Sequence, residues 1–182
     1  MDVALVSRFS ALLALVVGVG AVAVWLSVLW PGGPLRGVRL GLEPVALPLA
    51  FLVAGACLAG SLYFSEVAHF VPCKLCWFQR IGMYPLAVIL GIAAIRRDPS
   101  VRRYALPLAA IGGFVSIYHV QLERFPDQTT FCSADAPCSL PPLQEFGFVT
   151  LAFMALCGFL AISALLVVAR RPAPARQEPP AR

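Results

Sequence analysis

The chain has 182 residues, 60% of them hydrophobic and only 13% charged, and a formal net charge of +5. Soluble domains carry about 45–50% apolar and about 25% charged residues, so this composition excludes an ordinary soluble domain and defines an integral membrane protein with little soluble mass. The positive charge does not point to nucleic acid. The arginines lie in short segments between apolar runs, as the positive-inside rule predicts for cytoplasmic loops.

A membrane span needs about 20 apolar residues. Five segments qualify in chain order: Phe9–Trp30, Val45–Ala68, Trp77–Ile95, Tyr104–Val120 and Phe148–Ala169. The first is longer than the apolar core of a signal peptide, about 7–15 residues, and ends in Trp30-Pro31-Gly32-Gly33. It is read as a retained helix. The basic run Arg96 to Arg103 and the basic, Pro-rich tail from Arg170 read as cytoplasmic, the tail as disordered. Gln121 to Gly147 carries Glu123, Asp127, Asp135 and Glu145 against Arg124 alone and reads as external. Alternation then places the N-terminus outside. The expected architecture is all-α: a polytopic transmembrane bundle with an N-terminal helix and loop (1–44), a four-helix domain (45–169) with an outer loop (121–147), and a tail (170–182).

Six cysteines divide into two classes. Cys57 and Cys157 lie within apolar runs and read as small buried hydrophobes. The other four form two pairs in or beside loops, which suits an oxidising compartment or redox catalysis. The first pair opens the stretch Cys73-Lys74-Leu75-Cys76-Trp77-Phe78-Gln79-Arg80. Pro72 favours an extended approach, and a helix is expected to begin around Cys76. The positive end of a helix dipole lowers the pKa of a sulfur placed there. Arg80 stands one turn further on the same face and would stabilise a Cys76 thiolate. Gln79 offers an amide beside the site. Met83 and Tyr84 continue the stripe, and Pro85 is placed to kink the helix. An arginine at this depth has a plainer reading, snorkelling to lipid headgroups. If Arg80 is functional, it should serve a flat, apolar acceptor with a carbonyl oxygen. A quinone fits that description, although periodicity alone does not identify it.

The second pair, Cys132 and Cys138, encloses a short loop. It reads either as a structural staple or as a labile disulfide that exchanges with a partner's thiols. A zinc site built from all four cysteines is disfavoured, because the second half has an unusual spacing and Arg80 is nearby. His119, at the end of the fourth span, reads as an interfacial hydrogen bonder or a proton-handling group. His69 lies before the first pair, and Glu66 has no assigned role.

Cys73-Lys-Leu-Cys76-Trp-Phe-Gln79-Arg80-Ile-Gly-Met-Tyr84-Pro85 closely resembles the signature of the DsbB/BdbC disulfide-bond formation proteins. The downstream cysteine pair and the flanking spans match the same layout over roughly 45–169. The short outer loop is more similar to the BdbC branch, and Phe9–Trp30 departs from the usual four-helix plan. The resemblance implies a multi-pass protein of the bacterial inner membrane that re-oxidises a thioredoxin-like exported thiol oxidase (DsbA/BdbD-like) and reduces ubiquinone or menaquinone. By motif match, Cys73 and Cys76 would be the pair beside the quinone. Cys76 would face the ring, Arg80 would polarise a quinone oxygen, and Gln79 would lie in the same site. Cys132 and Cys138 would meet the partner, with Cys132 forming the mixed disulfide. No metal is expected. Membrane lipid is the other expected contact. A vitamin K epoxide reductase-like enzyme usually has the opposite cysteine order, and a non-enzymatic protein with structural disulfides would keep all four loop cysteines inert.

Overall fold

The computed structural model describes residues 2–128, 132 and 137–169. The tail from Arg170, and within the outer loop Phe131 and Asp135, lie outside the described residues. Six α-helices follow one another among the described residues: α1 (Val3–Leu29), α2 (Arg36–Leu42), α3 (Ala46–Leu62), α4 (Lys74–Arg96), α5 (Arg102–Arg124) and α6 (Leu151–Val168). A π-helical turn, Tyr63–Val67, extends α3. Two short strands, β1 (Gln144–Glu145) and β2 (Val149–Thr150), pair antiparallel just before α6. Five of these helical segments are long and apolar enough to cross a membrane.

The expected spans all form, with shifted boundaries: α1 begins at Val3, six residues before Phe9, and three further differences have a local cause. α4 begins at Lys74, two residues before Cys76, because Cys73 is extended (φ −70°, ψ 172°) and its sulfur accepts the Cys76 N–H as the helix cap. α4 then runs as one helical element through Pro85. α5 continues past Val120 to Arg124, so the polar turn of Gln121 to Arg124 is helix and not loop. α6 begins only at Leu151, because Val149 and Thr150 are used in the hairpin and the Thr150 hydroxyl accepts the Phe153 N–H as cap.

α3, α4, α5 and α6 close a ring in which each helix packs on the next and α6 returns to α3. Its core is a continuous cluster that includes Ala50, Ala54, Leu86, Leu90, Ala109, Ile162 and Leu166. In lipid, helix association depends on close van der Waals packing and small residues. Gly112 of α5 shows this: a Cβ there would run into the Phe159 ring of α6.

α1 lies against α6, outside this ring. Its buried face carries Ser7, Ala11, Ala14 and Ala21 at coiled-coil-like intervals, and this stripe of small residues permits the approach. Gly18 continues it, with room only for a hydrogen opposite the Cys157 sulfur. At its first turns Ser7 donates to Glu145 of β1 (2.6 Å), and Arg8 stands 3.8 Å from the same carboxylate. The N-terminus therefore shares one end of the bundle with the outer loop.

Candidate active site

Both cysteine pairs meet at that end. Cys73, Leu75, Leu122 and Cys138 form a buried cluster, with Cys76, Val115 and Cys132 packed against it. Cys132 and Cys138 are joined in a disulfide with Cα atoms 5.9 Å apart, while Cys73 and Cys76 are free thiols with sulfurs 3.0 Å apart. Cys138 is buried and Cys132 half-buried, so Cys132 is the more accessible residue of its pair.

Hydrogen-bond donors converge on Cys73. The Cys76 thiol lies at 3.0 Å, the Cys76 backbone N–H at 3.4 Å and His119 Nε2 at 3.6 Å. With its proton on Nε2, His119 donates to this sulfur. The Cys76 thiol contributes most, and together with His119 it outweighs burial and holds Cys73 far below its ordinary 9.0, at about 4. In the reduced pair the thiolate therefore resides on the capping cysteine, whereas the sequence placed the helix start, and with it the thiolate, at Cys76. A stabilised reduced form makes the corresponding disulfide more oxidising.

The pairs open onto a cavity of about 690 Å³ that is mostly apolar. α1 contributes Leu13 and Val17 to its wall, α3 Leu52 and Ala56, and α6 Ala155 and Phe159, while Cys73, Cys76, Cys138, Arg80 and His119 also line it. The Arg80 guanidinium donates to the Ser61 carbonyl (3.2 Å) and stands 5.2 Å from the Trp77 ring centre. Gln79 also reaches the cavity, but its amide donates to Ser116 (3.0 Å), which in turn donates to the Gly112 carbonyl (2.9 Å). Gln79 therefore ties α4 to α5 beside the cysteines. His69 and Glu66 do not line the cavity. His69 sits in a left-handed turn (φ 57°), and Glu66 accepts from Ser65.

Two polar residues stand out that the sequence had left without a secure role. His119 is 3% exposed, and its Nδ1 has no hydrogen-bond partner. Glu123, read as a loop charge, lies one turn further along α5 with its side chain 6% exposed. The signal was present in the spacing: a helix that continues past Val120 puts His119 and Glu123 on one face.

One ligand atom from each of Cys73, Cys76 and His119 falls within a 4.8 Å group that could share a metal ion. Two thiolates on a tetrahedral zinc stand about 3.8 Å apart, wider than the 3.0 Å found here. Cys132 and Cys138 are occupied in their own disulfide and do not complete a four-cysteine site.

A helical membrane bundle that brings a CxxC dithiol against a loop disulfide is a thiol–disulfide oxidoreductase in its class. The family model described as disulfide bond formation protein DsbB matches residues 43–169, and the chain belongs to that family. It is similar to disulfide bond formation protein C of Bacillus subtilis, with 46% identity over 65% of this chain and 87% of that protein. It is also similar to probable disulfide formation protein C 1 of Bacillus cereus, 45% identical over 57% of this chain and 76% of the relative. A probable disulfide formation protein of Deinococcus radiodurans is 56% identical over 52% of this chain and 64% of the relative. These relatives support the BdbC-like branch. No solved structure matches the chain. The chain is thus a multi-pass membrane protein of disulfide formation, and α1 lies outside the matched region.

Proposed function

We propose that the chain carries electrons from a thioredoxin-like exported thiol oxidase (DsbA/BdbD-like) through Cys132/Cys138 and then Cys73/Cys76 to a membrane quinone, with both pairs at the outer face of the bacterial plasma membrane. The observation that carries this reading is the packing of the two pairs in one buried cluster beside an apolar cavity.

The partner's thiolate attacks Cys132, the more accessible residue of its pair, and Cys138 leaves. The partner's second thiol resolves the mixed disulfide. Cys132/Cys138, now a dithiol, reduces the Cys73–Cys76 disulfide across the contact between the pairs. While Cys73 is bonded to a loop cysteine, the free sulfur is Cys76, which lines the cavity with Arg80 one turn away.

The residues present fit a quinone. The cavity is of ligand size, its walls are apolar, Arg80 supplies a fixed positive charge, and the orphaned His119 Nδ1 is a buried polar atom in need of a partner. Arg80 would hold one of its carbonyl oxygens, and Leu52, Ala56 and Phe159 its apolar body. A quinone bound there supplies a two-electron, two-proton acceptor. Either ubiquinone or menaquinone has the carbonyl geometry this site would take. Gln79 belongs to the site through its bond to Ser116, which fixes α4 against α5 under Cys76.

The test is Cys76→Ser. It should abolish quinone reduction and still permit a trapped Cys132–partner disulfide. Unchanged quinone reduction would overturn the assignment of Cys76.

A further inference from the structure

We propose that Glu123 holds the proton displaced when the Cys73/Cys76 pair becomes reduced, with His119 as the group that passes it and Thr150 as the group that orients the carboxyl. This deepens the relay described above and rests on it for the proton's final destination.

The argument begins with hydrogen-bond direction. The Thr150 oxygen accepts the Phe153 N–H at the start of α6 (3.2 Å). Its single hydroxyl proton then goes to Glu123 Oε2, 2.6 Å away. Oε2 is thus the oxygen bound to Thr150, and Oε1 is the oxygen left for a second partner. Oε1 faces His119 Nε2 at 4.0 Å, about 1 Å beyond a direct hydrogen bond. The same Nε2 lies 3.6 Å from the Cys73 sulfur. One ring nitrogen thus stands between the reacting sulfur and a carboxyl oxygen, and both side chains are more than nine-tenths buried.

A carboxyl kept there solely as helix glue would be a costly choice, because a neutral side chain could accept the Thr150 bond equally well. The charged and titratable groups around it give it a further use. Cys73 approaches as the cap of α4, His119 and Arg124 belong to α5, and α6 offers only its positive N-terminal dipole and Thr150. Arg80 lines the same cavity from α4, while Glu145 of β1 is already engaged by Ser7 and Arg8.

The step balances as follows. Two electrons and two protons leave the Cys132/Cys138 dithiol as its disulfide forms. The Cys73–Cys76 bond breaks and takes both electrons. One proton goes to the Cys76 sulfur. Cys73 remains a thiolate, so the second proton rests on the His119–Glu123 pair. Both are later available to the quinone acceptor of the proposed relay. Glu123 acts through His119, and Thr150 through Glu123, so both are positioning residues.

The test is the pH dependence of the Cys73–Cys76 disulfide equilibrium, measured on the full chain in detergent without quinone. The protein is poised in dithiothreitol redox buffers from pH 7 to 8.5, with correction for the buffer's own protons. The Cys73/Cys76 peptide is alkylated and quantified by mass spectrometry. Two protons per reduction change the equilibrium constant about a hundredfold per pH unit, or about 59 mV, and one proton about tenfold, or about 30 mV. The native chain should show the hundredfold dependence. Glu123→Gln keeps an acceptor for Thr150 but cannot hold the proton, and should fall toward tenfold. Glu123→Asp should restore the steeper dependence. A hundredfold dependence in Glu123→Gln, or a tenfold dependence in the native chain, overturns the inference. Failure of the native chain to reduce quinone would instead refute the relay reading, and it leaves this slope unaffected.

Discussion

Replacing His119 by leucine should raise the titration midpoint of Cys73. The imidazole is one of the donors on this sulfur, at 3.6 Å. A hydrogen bond to a charged group contributes about 1.5–3 kcal/mol, and one pKa unit corresponds to about 1.36 kcal/mol. The midpoint should therefore rise by about 1–2 pH units from its native position near 4, with the larger Cys76 contribution retained. The sign for stability follows. Cys73 is depressed in the folded, reduced chain, so its contribution is complete above its ordinary 9.0 and declines as pH falls. It vanishes below about 4 in the native chain and at correspondingly higher pH in His119→Leu. The assay is the rate of iodoacetamide alkylation at Cys73 from pH 3 to 9, followed on its own peptide in the reduced protein. A variant midpoint indistinguishable from the native one would refute the claim that His119 stabilises this thiolate.

Other variants separate the parts of the account. Arg80→Gln should weaken apparent quinone affinity while leaving exchange between Cys132 and the partner intact, and normal affinity would favour simple snorkelling of Arg80. Gly112→Ala should destabilise the bundle by about 1–3 kcal/mol through overpacking against Phe159; unfolding in detergent monitored by circular dichroism measures it, and unchanged stability would mean the helices separate freely. Glu145→Ala removes the carboxylate that joins Ser7 and Arg8 to β1, while the Ser7 hydroxyl keeps the Ala4 carbonyl as acceptor. It should increase proteolysis in the hairpin before α6 relative to the native chain. Equal cleavage would show that α1 does not restrain this end of the outer loop.

The spans were legible because lipid imposes runs of about 20 apolar residues, and the sulfur pairs were legible because their local motif is specific. What escaped were consequences of tertiary contact. Glu123 looked like one of several acidic loop residues until α5 continued through Arg124 and brought it beside His119. The cap at Cys73 depends on an extended backbone that Pro72 suggested, yet the helix begins two residues earlier than expected. The stripe of small residues in α1 was present in sequence, but an almost wholly apolar helix does not announce which side packs. The motif shows Gln79 one turn from Cys76, while its bond to Ser116 depends on the approach of another helix.

The central claim is tested most directly by mixing the purified chain with a reduced thioredoxin-like exported oxidase and a quinone under anaerobic conditions. Quinone absorbance and partner thiols are followed together, with Cys76→Ser as control. The account predicts one quinone reduced for each partner dithiol oxidised, and no quinone reduction in the control. Loss of thiols without quinone reduction would contradict it.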